Sequence, residues 1–232
     1  MKLAVMQPYF LPYIGYFQLI HAVDLFVVYD NIKYTKKGWI NRNRMLVNGS
    51  DAMFSLPLKK DHDTLDVVER EIAADFSRDK LLAQFLGAYQ RAPYLAHTFP
   101  LLESVVKDPT VNLFGFLQQS LARTCAHLGL ATAFRVSSDI AIDHTLKSQD
   151  KVLALCEAVG AETYINTVGG VDLYAREAFK ERGIDLKFIR AKPFAYPQFG
   201  AAFVPWLSII DVMMFNAPDA IRRCIETNHE FL

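Results

Sequence analysis

The residues best suited to chemistry lie in one polar segment, YDNIKYTKKGWINRNR, at positions 29–44. Arginine and lysine pair with phosphate oxygens, and an aromatic ring stacks on a base or covers a sugar. We therefore expect a phosphorylated ligand here, with the cations on a diphosphate; a solvated basic loop and a nucleic-acid patch are the alternatives. The expected contacts are Tyr34, Lys36, Lys37, Trp39, Asn41, Arg42, Asn43 and Arg44.

A second segment, MQPYFLPYIGYF at positions 6–17, joins a predicted strand to a predicted helix. Its prolines and glycine shape a turn, and packing of its aromatic rings is the structural alternative. A helix that starts at a strand end also offers free backbone N–H groups to a phosphate or an oxyanion. We expect Gln7 and Tyr13 to take part in catalysis. Binding contacts are expected from Gln7, Tyr9, Phe10 and Tyr16.

The third segment is TYINTVGG at positions 163–170, a predicted strand that ends in polar residues and two glycines. Glycine lets the backbone approach a ligand closely, so Asn166, Gly169 and Gly170 are candidate phosphate or ribose contacts. The alternative is a tight strand-to-helix connection with no ligand.

The candidates for proton transfer are few. Asp30 follows the second predicted strand directly, and we expect it to act as a base or to orient an amine. The six histidines show no zinc-ligand spacing, so no metal site is expected. GxSxG, Walker A and GxGxxG motifs are absent from the sequence, and no protein nucleophile is evident.

These segments need a sheet to position them. The patterns predict strands at 3–6, 25–29, 45–47, 53–58, 132–136, 163–165 and 185–189, and helices at 13–23, 77–91, 94–106, 110–128, 149–159, 171–182, 206–216 and from 218. Strand–helix–strand units form parallel pairs, and open parallel sheets bind ligands at the carboxyl ends of their strands. We expect an α/β, Rossmann-like (nucleotidyltransferase-like) parallel sheet in a single domain, 1–232. It would carry a mostly helical insertion at about 65–128 and an aromatic, proline-rich C-terminal extension at 191–232.

Composition limits the possible functions. Of 232 residues 52% are hydrophobic, which supplies a core, and 25 basic residues balance 25 acidic ones. Such a balance argues against a protein that coats nucleic acid. The chain has no apolar run of bilayer-spanning length, and its first residues are too weakly apolar for a signal peptide. Three cysteines without a CxxC pair suit a reduced, cytoplasmic protein.

The first motif, MQPYFLPYIGYFQLIHAVDLFVVYDNIKYTKKGWINRNR, resembles the WbqC-like family of bacterial proteins. TYINTVGGVDLYAREAFKERGIDLKFI and FVPWLSIIDVMMFNAP are similar to two softer family stretches, so the resemblance covers most of the chain. It implies a place in the synthesis of O-antigen, capsule or other surface polysaccharide. It also implies a proposed transfer of glycine or another acyl group to a sugar amine.

Positions 10–16 are also similar to a nucleotidyltransferase signature, with Phe10, Pro12 and Gly15 in place. Tyr13 and Tyr16 fall near the positions of its two histidines. Those histidines stabilise the transferred phosphate, so the similarity favours a shared nucleotide-binding sheet over the same reaction.

The combined interpretation is a cytoplasmic transferase that moves an acyl, aminoacyl or glycyl group onto the amine of a nucleotide-linked amino sugar. Acyl-CoA or ATP would serve as donor or activator. The alternatives are a nucleotidyl or adenylyl transferase that uses ATP, and a non-catalytic module that binds nucleotide-sugars. The oligomeric state stays open.

Overall fold

The N-terminal strand–helix–strand unit sets the architecture. A computed structural model describes residues 1–200 and 202–232, with β1 at Lys2–Met6, α1 at Ile14–His21 and β2 at Leu25–Val28. β2 is buried along its whole length, as its apolar run predicts for a strand covered on both faces. Its side chains alternate between two hydrophobic clusters: Phe26 and Val28 face one, and Leu25 and Val27 face the other.

The other elements follow in chain order, and all but the last strand match a predicted segment. The strands are β3 (Arg42–Val47), β4 (Ser50–Ser55), β5 (Ala133–Val136), β6 (Thr163–Thr167), β7 (Asp185–Ala191) and β8 (His229–Phe231). The helices are α2 (Arg78–Tyr89), α3 (Leu95–Val106), α4 (Leu113–His127), α5 (Ser148–Val159), α6 (Arg176–Lys180), α7 (Ile209–Phe215) and α8 (Pro218–Thr227). Three 3-10 turns lie at Val67–Glu69, Ser137–Asp139 and Val168–Leu173.

Six strands form the central sheet in the order β5-β2-β1-β6-β7-β8. The first five are parallel, and β8 is antiparallel to β7. The chain runs outward from β1 through β2 to β5 and then crosses to β6 on the other side of β1. This reversal is the topological switch point of a doubly wound sheet, where such folds bind ligands. The predicted α/β, Rossmann-like class is confirmed.

The segment between β2 and β5 carries a separate β-hairpin, β3–β4, and the helices α2, α3 and α4. Asn48 and Gly49 have φ values of 51° and 78°, which suits a two-residue hairpin turn. Because Val47 pairs with Ser50, β4 starts directly after this turn, three residues before the predicted strand.

Two predicted helices are shorter than the sequence pattern indicated. The helix expected at 171–182 is a 3-10 turn and the short α6, because extended Tyr174 lies between them and packs its ring against Tyr164 and Phe179. The helix expected at 206–216 begins at Ile209, because Trp206 has φ +58° and Ser208 caps the first turn. Within residues 1–200 and 202–232, we find no helix with the length and apolarity to cross a bilayer.

Candidate functional site

A cleft of about 710 Å³ lies at the switch point. We call it the switch-point cleft. Its floor is formed by the carboxyl ends of β1 and β6, with Met6 and Gln7 on one side and Asn166 and Thr167 on the other. The walls come from the segments that follow β2 and β5 and from the 3-10 turn after β6. Gln7, Asn166, Gly169 and Gly170, all predicted from the sequence, are brought together here.

The cleft is rich in unpaired positive charge. Lys33, Lys147 and Lys151 line it, and none of them forms an ion pair within residues 1–200 and 202–232. Lys147 is the N-cap of α5, so the first turn of a twelve-residue helix also faces the cleft. Its N–H groups have no acceptors within the helix, and they carry the positive end of the helix dipole. Together these groups have the chemistry that suits an anion.

Lys151 is the most constrained of the three lysines, with 4% of its surface exposed. Its ammonium group donates to the backbone oxygen and the Oδ1 of Asn31, at 3.2 and 3.1 Å, and lies 4.9 Å from the centroid of the Tyr29 ring. Burial lowers the pKa of Lys151, and the nearby Lys147 lowers it further. A buried ammonium without a carboxylate partner is costly, and an anionic ligand would offset that cost.

Asn31 links the residues around this lysine. Its Nδ2 donates to His144 Nδ1 at 2.9 Å, and the His144 Nε2 lies 3.1 Å from the carbonyl of Ile140. Since a carbonyl only accepts, Nε2 carries the proton. Both ring nitrogens of His144 are therefore engaged within the protein, and the ring shapes the wall of the cleft.

Asp66 is the single carboxylate that lines the cleft among the described residues. A backbone bridge places it opposite Lys33. Partial burial raises the pKa of Asp66, the nearby Glu69 adds to the rise, and Lys151 and Lys147 oppose it. Asp66 is also the N-cap of the 3-10 turn Val67–Glu69, and its own N–H donates to the Glu69 carboxylate at 2.8 Å. Its place in a cationic cleft and its raised pKa make it the candidate general base of this site.

Asp30 lies behind the cleft and does not line it. Its side chain is buried, and its Oδ1 accepts from the Ser137 hydroxyl at 2.6 Å and from the Ser138 N–H at 3.0 Å. The arrangement joins the ends of β2 and β5 and so holds Asn31 in place. The predicted role of Asp30 as a base does not fit these contacts, and we assign it a positioning role.

The glycine segment after β6 is shaped by its neighbours. Asn166 donates to the hydroxyls of Tyr164 and Tyr174 at 3.0 and 3.1 Å and accepts from the Thr167 N–H at 2.7 Å. A Cβ on Gly170 would lie 3.2 Å from the Asn166 amide and 3.3 Å from the Tyr174 ring. Glycine at this position therefore keeps Asn166 at the floor of the cleft.

A second cavity of about 520 Å³ adjoins the switch-point cleft, and Tyr9 lines both. We call it the aromatic cavity. Tyr13, Trp39 and Trp206 line it together with Arg44 and with residues of β7. Of the predicted site residues, Tyr9, Tyr13, Trp39, Asn43 and Arg44 are thus brought together here.

Two predicted binding residues lie in the hydrophobic core instead. Phe10 is completely buried against Phe54 and Phe116. Tyr16 is buried as well, and its hydroxyl donates to the Gln7 carbonyl at 2.8 Å. Their predicted ligand contacts are wrong, because no surface of either ring is open to a ligand.

Other predicted contacts in the 29–44 segment serve the loop itself. Tyr34 donates to Asn41, Asn41 donates to the Leu56 carbonyl, and Arg42 donates to the carbonyls of Lys37 and Gly38. Lys36 pairs with Asp63 at 2.7 Å on an exposed surface. None of these side chains, nor that of Lys37, lines either cavity. Asn43 does, but its amide is occupied by the carbonyls of Phe10 and Leu11.

Sequence reasoning missed Asp66, His144, Lys147 and Lys151. A signal was present for the last three: they follow the strand predicted at 132–136, and the loop after that strand must reach the same sheet edge. Asp66 lacked such a signal, since it reaches the cleft through the backbone bridge to Lys33.

Comparison with known proteins agrees with the resemblance noted in the sequence. The uncharacterized protein Rv1507c of Mycobacterium tuberculosis is 27% identical over 231 residues, which cover 96% of this chain and 98% of that protein. No solved structure matches the chain. The model of the WbqC-like protein family matches residues 7–223, which include the whole aromatic cavity and all of the switch-point cleft except Val5 and Met6. The chain therefore belongs to the WbqC-like protein family.

Proposed function

We propose that the protein is a cytoplasmic transferase of surface-polysaccharide synthesis. It places an acyl or aminoacyl group on the amine of a nucleotide-linked amino sugar. The observation that carries the proposal is the convergence on the switch-point cleft of the start of α5 and of three lysines that form no ion pair with the described residues. Such a cleft suits a diphosphate, because ammonium groups and free backbone N–H groups both pair with phosphate oxygens.

The chemistry asks little of the protein beyond placement. The neutral sugar amine attacks the carbonyl carbon of the donor, a C–N bond forms, and the bond to the leaving group breaks. Asp66 takes the proton lost by the amine and passes it to the leaving group, a CoA thiolate or an adenylate phosphate. Backbone N–H groups near Gln7 stabilise the oxyanion.

Two alternatives predict different products. Adenylyl or nucleotidyl transfer would require ATP and release pyrophosphate or AMP. A non-catalytic module would bind the nucleotide-sugar without turnover.

The test is a product assay on the purified protein. The protein is incubated with UDP- or dTDP-linked amino sugars and either acyl-CoAs or glycine and ATP. Mass spectrometry then measures the mass of the sugar nucleotide. We expect the mass gain of one amide, and we expect Asp66→Asn to lower the rate about 100-fold. Asp63→Asn, an exposed neighbour on the same segment, is the matched control and should retain the rate. Binding without any new product would contradict the transferase and favour the non-catalytic binding module.

A further inference from the structure

The aromatic cavity contains both tryptophans of the chain, Trp39 and Trp206. Their side chains are 39% and 44% exposed, so two large ring systems are open to whatever enters. Tyr13 meets the Trp206 ring edge-on at a centroid distance of 6.2 Å. Wide aromatic walls with a few polar groups between them are typical of ligand sites.

The backbone holds these walls in place at a cost. Trp206 has φ +58°, which a bulky side chain rarely adopts. Strain of this kind persists where the surroundings fix it, and it clusters at ligand sites. Here the fixing group is Arg44, which donates to the Trp206 carbonyl at 3.2 Å while its guanidinium lies 5.7 Å from the centroid of the Trp39 ring.

The Tyr13 ring is the third aromatic wall, and it fits because Gly15 has no side chain. A Cβ on Gly15 would lie 2.6 Å from the Tyr13 hydroxyl oxygen, which is closer than any packing allows. Glycine inside a helix costs about 1 kcal/mol relative to alanine. Glycine at position 15 therefore makes α1 less stable, but it leaves the space that the Tyr13 ring occupies.

The polar groups decide what the walls recognise. Arg44 and Arg190 line the cavity, and no carboxylate does so among the described residues. Each arginine forms one ion pair, Arg44 with Asp51 at 3.3 Å and Arg190 with Glu230 at 3.1 Å. Because a guanidinium carries five N–H donors, others remain for hydroxyl and carbonyl oxygens between flat apolar faces. The cavity also continues from the switch-point cleft: Tyr9 is shared, and Val168 of the cavity adjoins Gly169 of the cleft.

We infer that the aromatic cavity is the subsite for the pyranose ring of the sugar nucleotide. The inference rests on the proposed function, which places the diphosphate in the switch-point cleft. The sugar then extends past Tyr9 with its amine turned toward the switch-point cleft, which Asp66 lines. Its apolar face lies against Trp39 or Trp206, and Arg44 donates to its oxygens.

The two tryptophans also supply the assay, because all tryptophan fluorescence of this protein arises from the cavity. Emission is followed during titration with UDP, with UDP-glucosamine and with methyl glucosaminide. Calorimetry measures UDP binding independently. We expect UDP to bind with little change in emission, and we expect UDP-glucosamine and methyl glucosaminide to change the emission.

Variants locate the effect. Trp206→Phe and Trp39→Phe should each remove part of the change in fluorescence emission. Gly15→Ala should raise the Kd for UDP-glucosamine about tenfold and leave the Kd for UDP unchanged. Gly87→Ala is the control, since a Cβ there meets nothing within 4 Å. An equal response to UDP alone would place the base in the cavity and overturn the inference. UDP binding with no response to either sugar would also overturn it, whereas absence of UDP binding with a response to methyl glucosaminide would instead contradict the proposed function.

Discussion

Lys151→Met separates the binding role of this lysine from its structural role. The ammonium is buried, with two hydrogen bonds to Asn31 and no carboxylate partner in the part of the chain that the structure describes. Removing two hydrogen bonds made by a charged donor costs about 3–6 kcal/mol, and relieving the desolvation of a buried charge returns several kcal/mol, so the two contributions nearly cancel. Methionine keeps most of the volume. We therefore expect the free energy of unfolding to stay within about 1 kcal/mol of wild type or to rise.

The effect on ligand binding should be much larger. A hydrogen bond to a charged group contributes about 1.5–3 kcal/mol, which corresponds to about 10- to 150-fold in Kd. Calorimetry with UDP measures this loss, and urea unfolding measures the stability of the free protein.

Lys36→Met is the matched control for this experiment. Lys36 is exposed and paired with Asp63, and the sequence alone predicted it as a phosphate contact. We expect its Kd for UDP to equal that of wild type. An unchanged Kd for Lys151→Met, or a loss on Lys36→Met instead, would refute the assignment of the anion site to the switch-point cleft.

Three further changes test residues next to the cavities and in the core. Asn43→Ala leaves the buried Phe10 carbonyl without a donor, whereas the Leu11 carbonyl keeps the Ser208 hydroxyl, so the free energy of unfolding should fall by about 1–3 kcal/mol and Tm by about 2–12 °C in a thermal scan. Gly170→Ala should displace Asn166 by a few tenths of an ångström and weaken UDP binding severalfold in calorimetry. Gly87→Ala is the control, because a Cβ at Gly87 meets no atom within 4 Å. Asp211→Asn tests a buried carboxyl whose pKa is raised by burial, so its stabilising contribution is present below pH 3.8 and is lost as the pH rises through the folded pKa. Urea unfolding should therefore show the stability difference between variant and wild type shifting in the variant's favour as the pH rises above 3.8.

The parallel sheet was predictable because its strands are short apolar runs buried on both faces. The runs at 3–6 and 25–29 needed no tertiary knowledge, and the polar residues after them had to meet at one sheet edge. Gln7 and Asn166 were found in this way.

The partners of the polar side chains in the 29–44 loop could not be predicted in the same way. Its polar side chains had two possible partners, a ligand or the carbonyl groups of the loop. Arg42 and Asn41 bond to carbonyls, because backbone groups outside helices and strands still need hydrogen-bond partners. The positive φ of Trp206 has no sequence signature either, since it depends on the Arg44 hydrogen bond across the cavity.

The most direct measurement is calorimetric titration of the wild-type protein and of a Lys33→Ala/Lys147→Ala variant with UDP- and dTDP-linked amino sugars at low and high salt. We predict saturable binding to wild type that weakens with salt, and a loss of more than about tenfold in the variant. Equal binding to both proteins, or no binding to wild type by any sugar nucleotide, would contradict a diphosphate site in the switch-point cleft.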